Sequence, residues 1–408
     1  MSDAAAPATG RDARILALIG TGHFLSHFYM LCLPPLFLAW RAEFGVSFAE
    51  LGLAVALMSG TTAALQTPVG FAVDRWGARR FLVGGTALMA LSISAMAIAP
   101  SFLVIVLLAV LSGVGNSVIH PADYAILAGS IDKTRMGRAF ALHTFSGNLG
   151  FAAAPPVIAL LMAAMDWRWA LAVVGLFGVP VVIGILLQSR ILQDQAKPCG
   201  AKPEGQTGRQ LLLSRPILLF FAFFLLSSMA GSGIQSFVIS VLGSLWGTPV
   251  AIASMALTGY MAGATSGTLV GGWVADRKAG NLTVFVTVLT LASMGLIVAL
   301  GALPMPEVLL PVVAFLAGLC LGSSRTPRDV MLKDASPPGE IGKVFGFVSA
   351  GLPLGGAITP VPLGYLIDLG YPQLVLPLVA GMLGLSLLCM GTAQGSARAA
   401  RARPMPAE

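Results

Sequence analysis

Long apolar runs separated by short polar breaks dominate this chain, and each run lasts roughly 20 residues, the length at which a helix rising ~1.5 Å per residue crosses a ~30 Å hydrocarbon layer. The pattern predicts spans over residues 15–39, 48–72, 80–99, 102–127, 138–164, 168–189, 215–242, 249–275, 282–300, 308–332, 343–366 and 371–394. The expected fold is an all-α membrane protein of twelve transmembrane helices. Barrel strands would alternate polar and apolar residues over about ten positions, and these runs do not.

Composition agrees, since 56% of the 408 residues are hydrophobic and only 10% are charged, too little polar surface to cover a water-soluble globule. Charge adds orientation. The basic residues outside the membrane, apart from Arg41 and Arg168, fall in loops on the side shared by both termini, which by the positive-inside bias predicts cytoplasmic termini and a location in a bacterial inner membrane. The net charge of +7 therefore reflects scattered loop ends rather than a nucleic-acid face. Residues 1–14 are expected to be a cytoplasmic tail without a cleavable leader, and 395–408 a second tail. Between 190 and 214 the composition turns to Gln, Lys, Pro, Gly and Glu, a linker dividing a six-helix bundle over 15–189 from another over 215–394. Cys32, Cys199, Cys320 and Cys389 show no metal-ligand spacing.

The halves repeat. Gly70, Asp74, Arg75 and Gly77 close the second apolar run, and Gly272, Asp276, Arg277 and Gly280 close the eighth. Gly137-Arg138-Ala139-Phe140 returns as Gly342-Lys343-Val344-Phe345, and Gly150 with Pro155 returns as Gly355 with Pro360, all at one offset of 205 residues. His120-Pro121-Ala122-Asp123 is echoed by Thr326-Pro327-Arg328-Asp329. Ordered matches in register indicate a duplicated, pseudo-symmetric bundle.

The segment from Gly70 through Asp74, Arg75 and Gly77 to Arg79 and Arg80 resembles the loop 2–3 signature of the major facilitator superfamily; the second copy departs from it, with its glycine one residue late. That resemblance covers essentially the whole chain. It implies two six-helix bundles rocking about a site near the membrane midplane, with Gly70, Asp74, Arg75, Gly77, Arg79, Gly272, Asp276 and Arg277 forming a conformational latch. A carboxylate at Asp74 would be favoured at a neighbouring helix N-terminus by ~0.3–1 kcal/mol, and Gly70 would permit close packing. The plain alternative is a solvated loop that merely obeys the charge bias.

Polar groups at membrane depth mark the expected solute path, because an ionised side chain there costs ~2.5–3.5 kcal/mol without water or a partner. His23 and His27 lie one turn apart on span one; Asn116, His120 and Asp123 follow at spacings of four and three on span four, where Pro121 should bend the helix; His143 and Asn148 lie on span five. Span ten carries Arg325, Arg328 and Asp329, with Arg325 and Asp329 spaced to pair at i,i+4 and one positive charge left over. A planar guanidinium suits a carboxylate, phosphate or sulfonate, so an anionic solute is expected, unless span ten ends early and these residues belong to a loop. His23, His27, His120, His143 and Asp123 are the candidates for proton coupling; the bland reading of each imidazole is a neutral interhelical hydrogen bond. A metal at His23 and His27 would want further carboxylate or thiolate ligands, and none is expected. Gln66, Gln235, Tyr29, Tyr124 and Tyr260 are neutral candidates along the same path.

The expected function is secondary transport of a small organic solute by a monomer, coupled to protons, with no cofactor and no catalysis. No Walker A sequence is present. Gly22-His23-Phe24, Leu33-Pro34-Pro35 and His120-Pro121 are similar to the fosmidomycin-resistance branch of exporters, so efflux of a drug or metabolite stands beside uptake of an organic anion or vitamin.

Overall fold

The computed structural model describes residues 10–131, 135–192, 212–276, 281–335, 344 and 347–401. Both tails' ends, most of the polar linker, Arg277 to Gly280, Gly342 and Lys343 lie outside the described residues, as do the side chains of Asp74, Asp276 and Arg138. Among the described residues all regular structure is helical, and ten segments are long and apolar enough to cross a membrane. The other two expected spans, 80–99 and 249–275, also coincide with long helices. The chain forms two compact units, Met1–Gly200 and Ala201–Glu408.

In the first unit, α1 (Gly10–Leu31) stops where Pro34 and Pro35 remove backbone donors; a 3₁₀ turn over Pro34–Leu36 hands the chain to α2 (Phe37–Phe44). Span one is thus two helical pieces rather than one rod. α3 (Phe48–Trp76) opens on a capping box, with Glu50 N donating to Ser47 Oγ at 3.1 Å and Ser47 N to Glu50 Oε2 at 2.8 Å. It closes at Gly77, whose φ of 92° favours glycine. α4 (Ala78–Met96), α5 (Phe102–Ser117) and α6 (Ile119–Ser130) follow, then α7 (Met136–Ala164). Asp166 accepts from Arg168 N and Trp169 N to cap α8 (Trp167–Leu176), and α9 (Gly178–Leu187) completes the unit.

One corner of this unit is tied by Arg168, whose guanidinium donates to the carbonyls of Ala97 and Ala99 at 3.0 Å each and reaches Glu43 Oε1 at 2.5 Å. Trp167 Nε1 donates to the other Glu43 oxygen.

The second unit runs α10 (Arg215–Trp246), α11 (Val250–Asp276), α12 (Leu282–Ala302), α13 (Leu309–Ser323), α14 (Arg325–Ala335), α15 (Gly351–Ile358), α16 (Pro360–Asp368) and α17 (Val375–Arg401). Its tightest seam joins α11 to α13. A Cβ added at Gly259, Gly263, Gly267 or Gly271 would meet the carbonyl oxygen of Pro311, Phe315, Leu319 or Ser323 at 2.0–2.4 Å, so backbone lies on backbone along four successive turns. Where lipid supplies no hydrophobic drive between helices, such close approach is what holds them.

The duplication extends to contacts. His23 and His27 pack against Gly147 and Phe151 of α7; at the offset of 205, Ser228 donates to the Leu352 carbonyl and Ser232 to the Gly356 carbonyl. Spans four and ten both break three residues before a proline, at Val118 and Ser324, and the backbone bond from Ala122 N to Val118 O reappears from Arg328 N to Ser324 O. Pro121 and Pro327 explain both breaks, since each ring crowds the carbonyl four residues earlier.

Candidate functional site

All four histidines of the chain converge in the first unit. α1 supplies His23 and His27, α6 supplies His120 and Asp123, and α7 supplies His143. The His23 and His143 rings stack with centroids 3.6 Å apart, while His27 and His120 lie 4.4 Å and 5.1 Å from His23. Gly147 makes this possible, because a Cβ there would fall 2.5 Å from His23 Cε1 and 2.8 Å from His27 Cε1.

The hydrogen bonds fix much of the protonation pattern. His23 Nδ1 sits 2.7 Å from the His143 carbonyl oxygen, an acceptor only, so that nitrogen donates. In a neutral ring His23 Nε2 then accepts, and its neighbour at 3.3 Å, His120 Nε2, is the donor. His120 Nδ1 is left with a bare lone pair. His143 Nε2 donates to Asp123 Oδ2 at 2.9 Å, with both side chains almost wholly buried. Among the described residues, His27 Nδ1, His120 Nδ1, His143 Nδ1 and Asp123 Oδ1 have no hydrogen-bond partner. Buried polar atoms left open in this way are costly unless they are sometimes filled.

Exposure is graded across the cluster. His23, Asp123 and His143 are buried, His27 and His120 are half-buried, and Tyr124, 5.3 Å from His143 between ring centroids, is exposed. His23, His27 and His120 also bring one ligand atom each within 4.8 Å of one another, a group that could hold a metal ion. Asp123, the carboxylate of the cluster, gives Oδ2 to His143 and keeps Oδ1 open.

Asn116 departs from the expected shared face. The break at Val118 separates it from His120, and its amide points to Thr62 Oγ1 at 3.4 Å and Met30 Sδ at 3.2 Å, at the crossing of spans one, two and four. Asn148 is half-buried on α7. Tyr29 is a packing residue, its hydroxyl donating to the Gly175 carbonyl at 3.0 Å.

In the second unit the expected Arg325 and Asp329 pair does not form. Asp329 is taken by Arg328, whose Nε lies 3.0 Å from Oδ1 and whose guanidinium also covers the Phe224 ring at 4.0 Å. The adjacent side chain reaches the carboxylate while lying on an aromatic face, a combination Arg325 cannot match from the first turn of α14. Arg325 is half-buried, lies within the candidate span Leu309–Leu332 and makes no ion pair with a described residue. Its electrostatic neighbours are Tyr260, Arg328 and Asp329, and the buried Tyr260 hydroxyl has no hydrogen-bond partner among the described residues.

The signature segment is partly described. Arg75 is exposed and lies over the Trp76 ring, Arg79 is half-buried, and Gly77 supplies the turn. Gly70 does not serve close packing: a Cβ there would meet nothing within 4 Å, and the same holds for Gly272, whereas Gly271 beside it is pressed on Ser323. Gly70 and Gly272 sit on helix faces turned away from the neighbouring backbone.

A family model described as Major Facilitator Superfamily matches residues 19–244 and 225–405. The chain belongs to this superfamily. Members are membrane transporters that carry small-molecule solutes, and drug-resistance proteins are among the relatives. The chain is 24% identical to the fosmidomycin resistance protein of Escherichia coli over 84% of its own length and 85% of that protein's. It is 31% identical to a multidrug resistance protein B homolog of Mycobacterium tuberculosis over 192 residues, 46% of this chain, a match spanning 34% of that protein's length. Among solved structures, the nucleoside transporter NupG aligns with a TM-score of 0.77 at 15% identity, covering 93% of this chain and 99% of that one. A bacterial homolog of the human lysosomal transporter Spinster aligns with a TM-score of 0.75 at 13% identity, covering 98% and 100%. At these identities the structural likeness speaks for the superfamily's fold.

Proposed function

We propose that this superfamily member is a twelve-span secondary transporter of two six-helix bundles, moving a small organic anion across the bacterial inner membrane by alternating access with protons as the coupling ion. The observation that carries the reading is Arg325, a cation inside a candidate span that makes no ion pair with a described residue, its neighbour Asp329 being paired with Arg328. A lone charge at that depth is expensive, and a carboxylate, phosphate or sulfonate on the solute would answer it bidentately. Arg328 is already neutralised by Asp329 and shielded by Phe224. Tyr260 offers a free hydroxyl to the same ligand.

Proton coupling is assigned to the cluster of His23, His27, His120, His143 and Asp123. Tyr124 is a further titratable group beside it. Imidazole is the side chain suited to taking up and releasing a proton, and the open lone pairs on His120 and Asp123 are where an incoming proton would go. Gly77, Asp74, Arg75 and Arg79, with Gly272, Asp276 and Arg277, are proposed as the latch between states; Gly70 belongs to the motif without a packing role. Both termini are placed in the cytoplasm on the loop charges. Export of a drug is the second reading, favoured by the likeness to the fosmidomycin resistance protein along most of both chains.

A thermal-shift screen of purified protein against carboxylates, phosphonates, sulfonates and their neutral amides or esters tests the solute class, because a ligand bound to the folded state raises stability by mass action. Only anions should stabilise the wild type, and Arg325→Ala should lose that response while keeping its unliganded melting temperature. Neutral analogues acting as well as anions would defeat the anion reading. In proteoliposomes, accumulation of the hit should follow an imposed pH gradient and vanish in Asp123→Asn or His120→Gln; a flux indifferent to the gradient would defeat proton coupling.

A further inference from the structure

A groove of about 550 Å³ runs between α1 and α9, and none of the histidines lines it. The two helices are antiparallel over its length. Arg11 donates to the Ile191 carbonyl beyond one end, Leu18 lies 3.6 Å from the Cβ position of Gly184 in the middle, and the Phe28 and Phe177 rings are 6.2 Å apart beyond the other end. The walls are apolar: Leu18, Phe24, Leu25, Phe177, Pro180 and Val181 face the groove, and the Thr21 hydroxyl is turned back onto the Ala17 carbonyl. Polarity is confined to one end, where Arg14 and Gln188 meet.

Arg11, Arg135 and Arg168 are each tied to a carbonyl or carboxylate, whereas Arg14, like Arg75 and Arg80, makes no hydrogen bond or ion pair with a described residue, and of these Arg14 is the one that lines the groove. From Arg14 to Leu25 the helix rises about 16 Å, close to half the ~30 Å hydrocarbon thickness. The groove is therefore about as long as one leaflet is thick, apolar along its length and cationic at one end.

We propose that this groove is a binding site for an anionic phospholipid, with one acyl chain along α1 and α9 and the phosphate held by Arg14 and Gln188. A guanidinium pairs with phosphate bidentately, and a basic residue at the headgroup level adds attraction for anionic lipid. A water-soluble anion could answer Arg14 but would leave the apolar length uncovered. Gly184 adds no side chain to the groove opposite Leu18.

Delipidated full-length protein, titrated with phosphatidylglycerol, phosphatidylcholine or inorganic phosphate, tests this by native mass spectrometry and thermal shift. Phosphatidylglycerol should be retained and should stabilise at about five-fold lower concentration than phosphatidylcholine, the preference expected of one juxtamembrane arginine. Phosphate alone should do nothing. Arg14→Ala should erase the preference, Arg14→Lys should keep part of it, and Gly184→Phe should expel both lipids. Equal retention of the two lipids by wild type, an unchanged preference in Arg14→Ala, stabilisation by phosphate alone, or no retained lipid would each overturn the proposal. None of these readouts depends on transport, so they are independent of the solute and of the proton.

Discussion

Gly271 and Gly272 are neighbours in sequence with opposite surroundings, and replacing each by alanine separates packing from propensity. At Gly271 the new methyl would sit 2.2 Å from the Ser323 carbonyl oxygen, against 3.4 Å for ordinary contact, so α11 and α13 must part by about 1.2 Å there. The obstacle is backbone, which cannot rotate aside. A gap of 0.5–1 Å already forfeits about a quarter to a half of a dispersion contact, and the loss would spread to Gly267 on Leu319 and Gly263 on Phe315. Overpacking of this kind costs about 1–3 kcal/mol. At Gly272 the methyl would meet nothing within 4 Å, and alanine's better helix propensity should add about 0.5–1 kcal/mol. Thermal unfolding in detergent, followed by tryptophan fluorescence, should therefore show Gly271→Ala melting several degrees below wild type and Gly272→Ala at or above it. Equal shifts, or a neutral Gly271→Ala, would refute the seam as the determinant of this unit's stability.

Gly147→Ala should push His23 and His27 off α7 and reduce pH-driven uptake in proteoliposomes far more than it lowers melting temperature; loss of both in proportion would make the glycine merely structural. Asp74→Asn should slow transport at least ten-fold while leaving solute affinity within two-fold, measured by counterflow and equilibrium binding, and equal losses would argue against a latch. Arg168→Ala leaves the Ala97 and Ala99 carbonyls and the Glu43 carboxylate short of a donor, so stability should fall by about 1–3 kcal/mol in thermal melts with the solute's affinity unchanged.

The helices were legible because crossing a bilayer demands one length and one polarity, and the repeat at 205 residues was legible because duplicated glycines and prolines keep their backbone roles. The histidine cluster was half legible. The four-residue spacing of His23 and His27 puts them on one face, but only tertiary folding stacks His143 on His23 across 120 residues of chain and gives Asp123 its partner. The helix break at Val118 could not be weighed from sequence alone, so Asn116 was grouped with residues it leaves. Arg325 was paired with Asp329 by helical spacing, a rule for isolated helices that yields when an adjacent arginine can also lie on an aromatic ring. Gly259, Gly263, Gly267 and Gly271 are small residues at every fourth position, and that spacing is the sequence sign of the α11 to α13 seam.

Where one copy of the repeat sets imidazoles against a neighbouring helix, the other sets hydroxyls of Ser228 and Ser232. The architecture at that crossing thus tolerates a titrating group or an inert one at the same address. After a gene doubles, such an address lets one copy carry reactive groups while its twin keeps the scaffold.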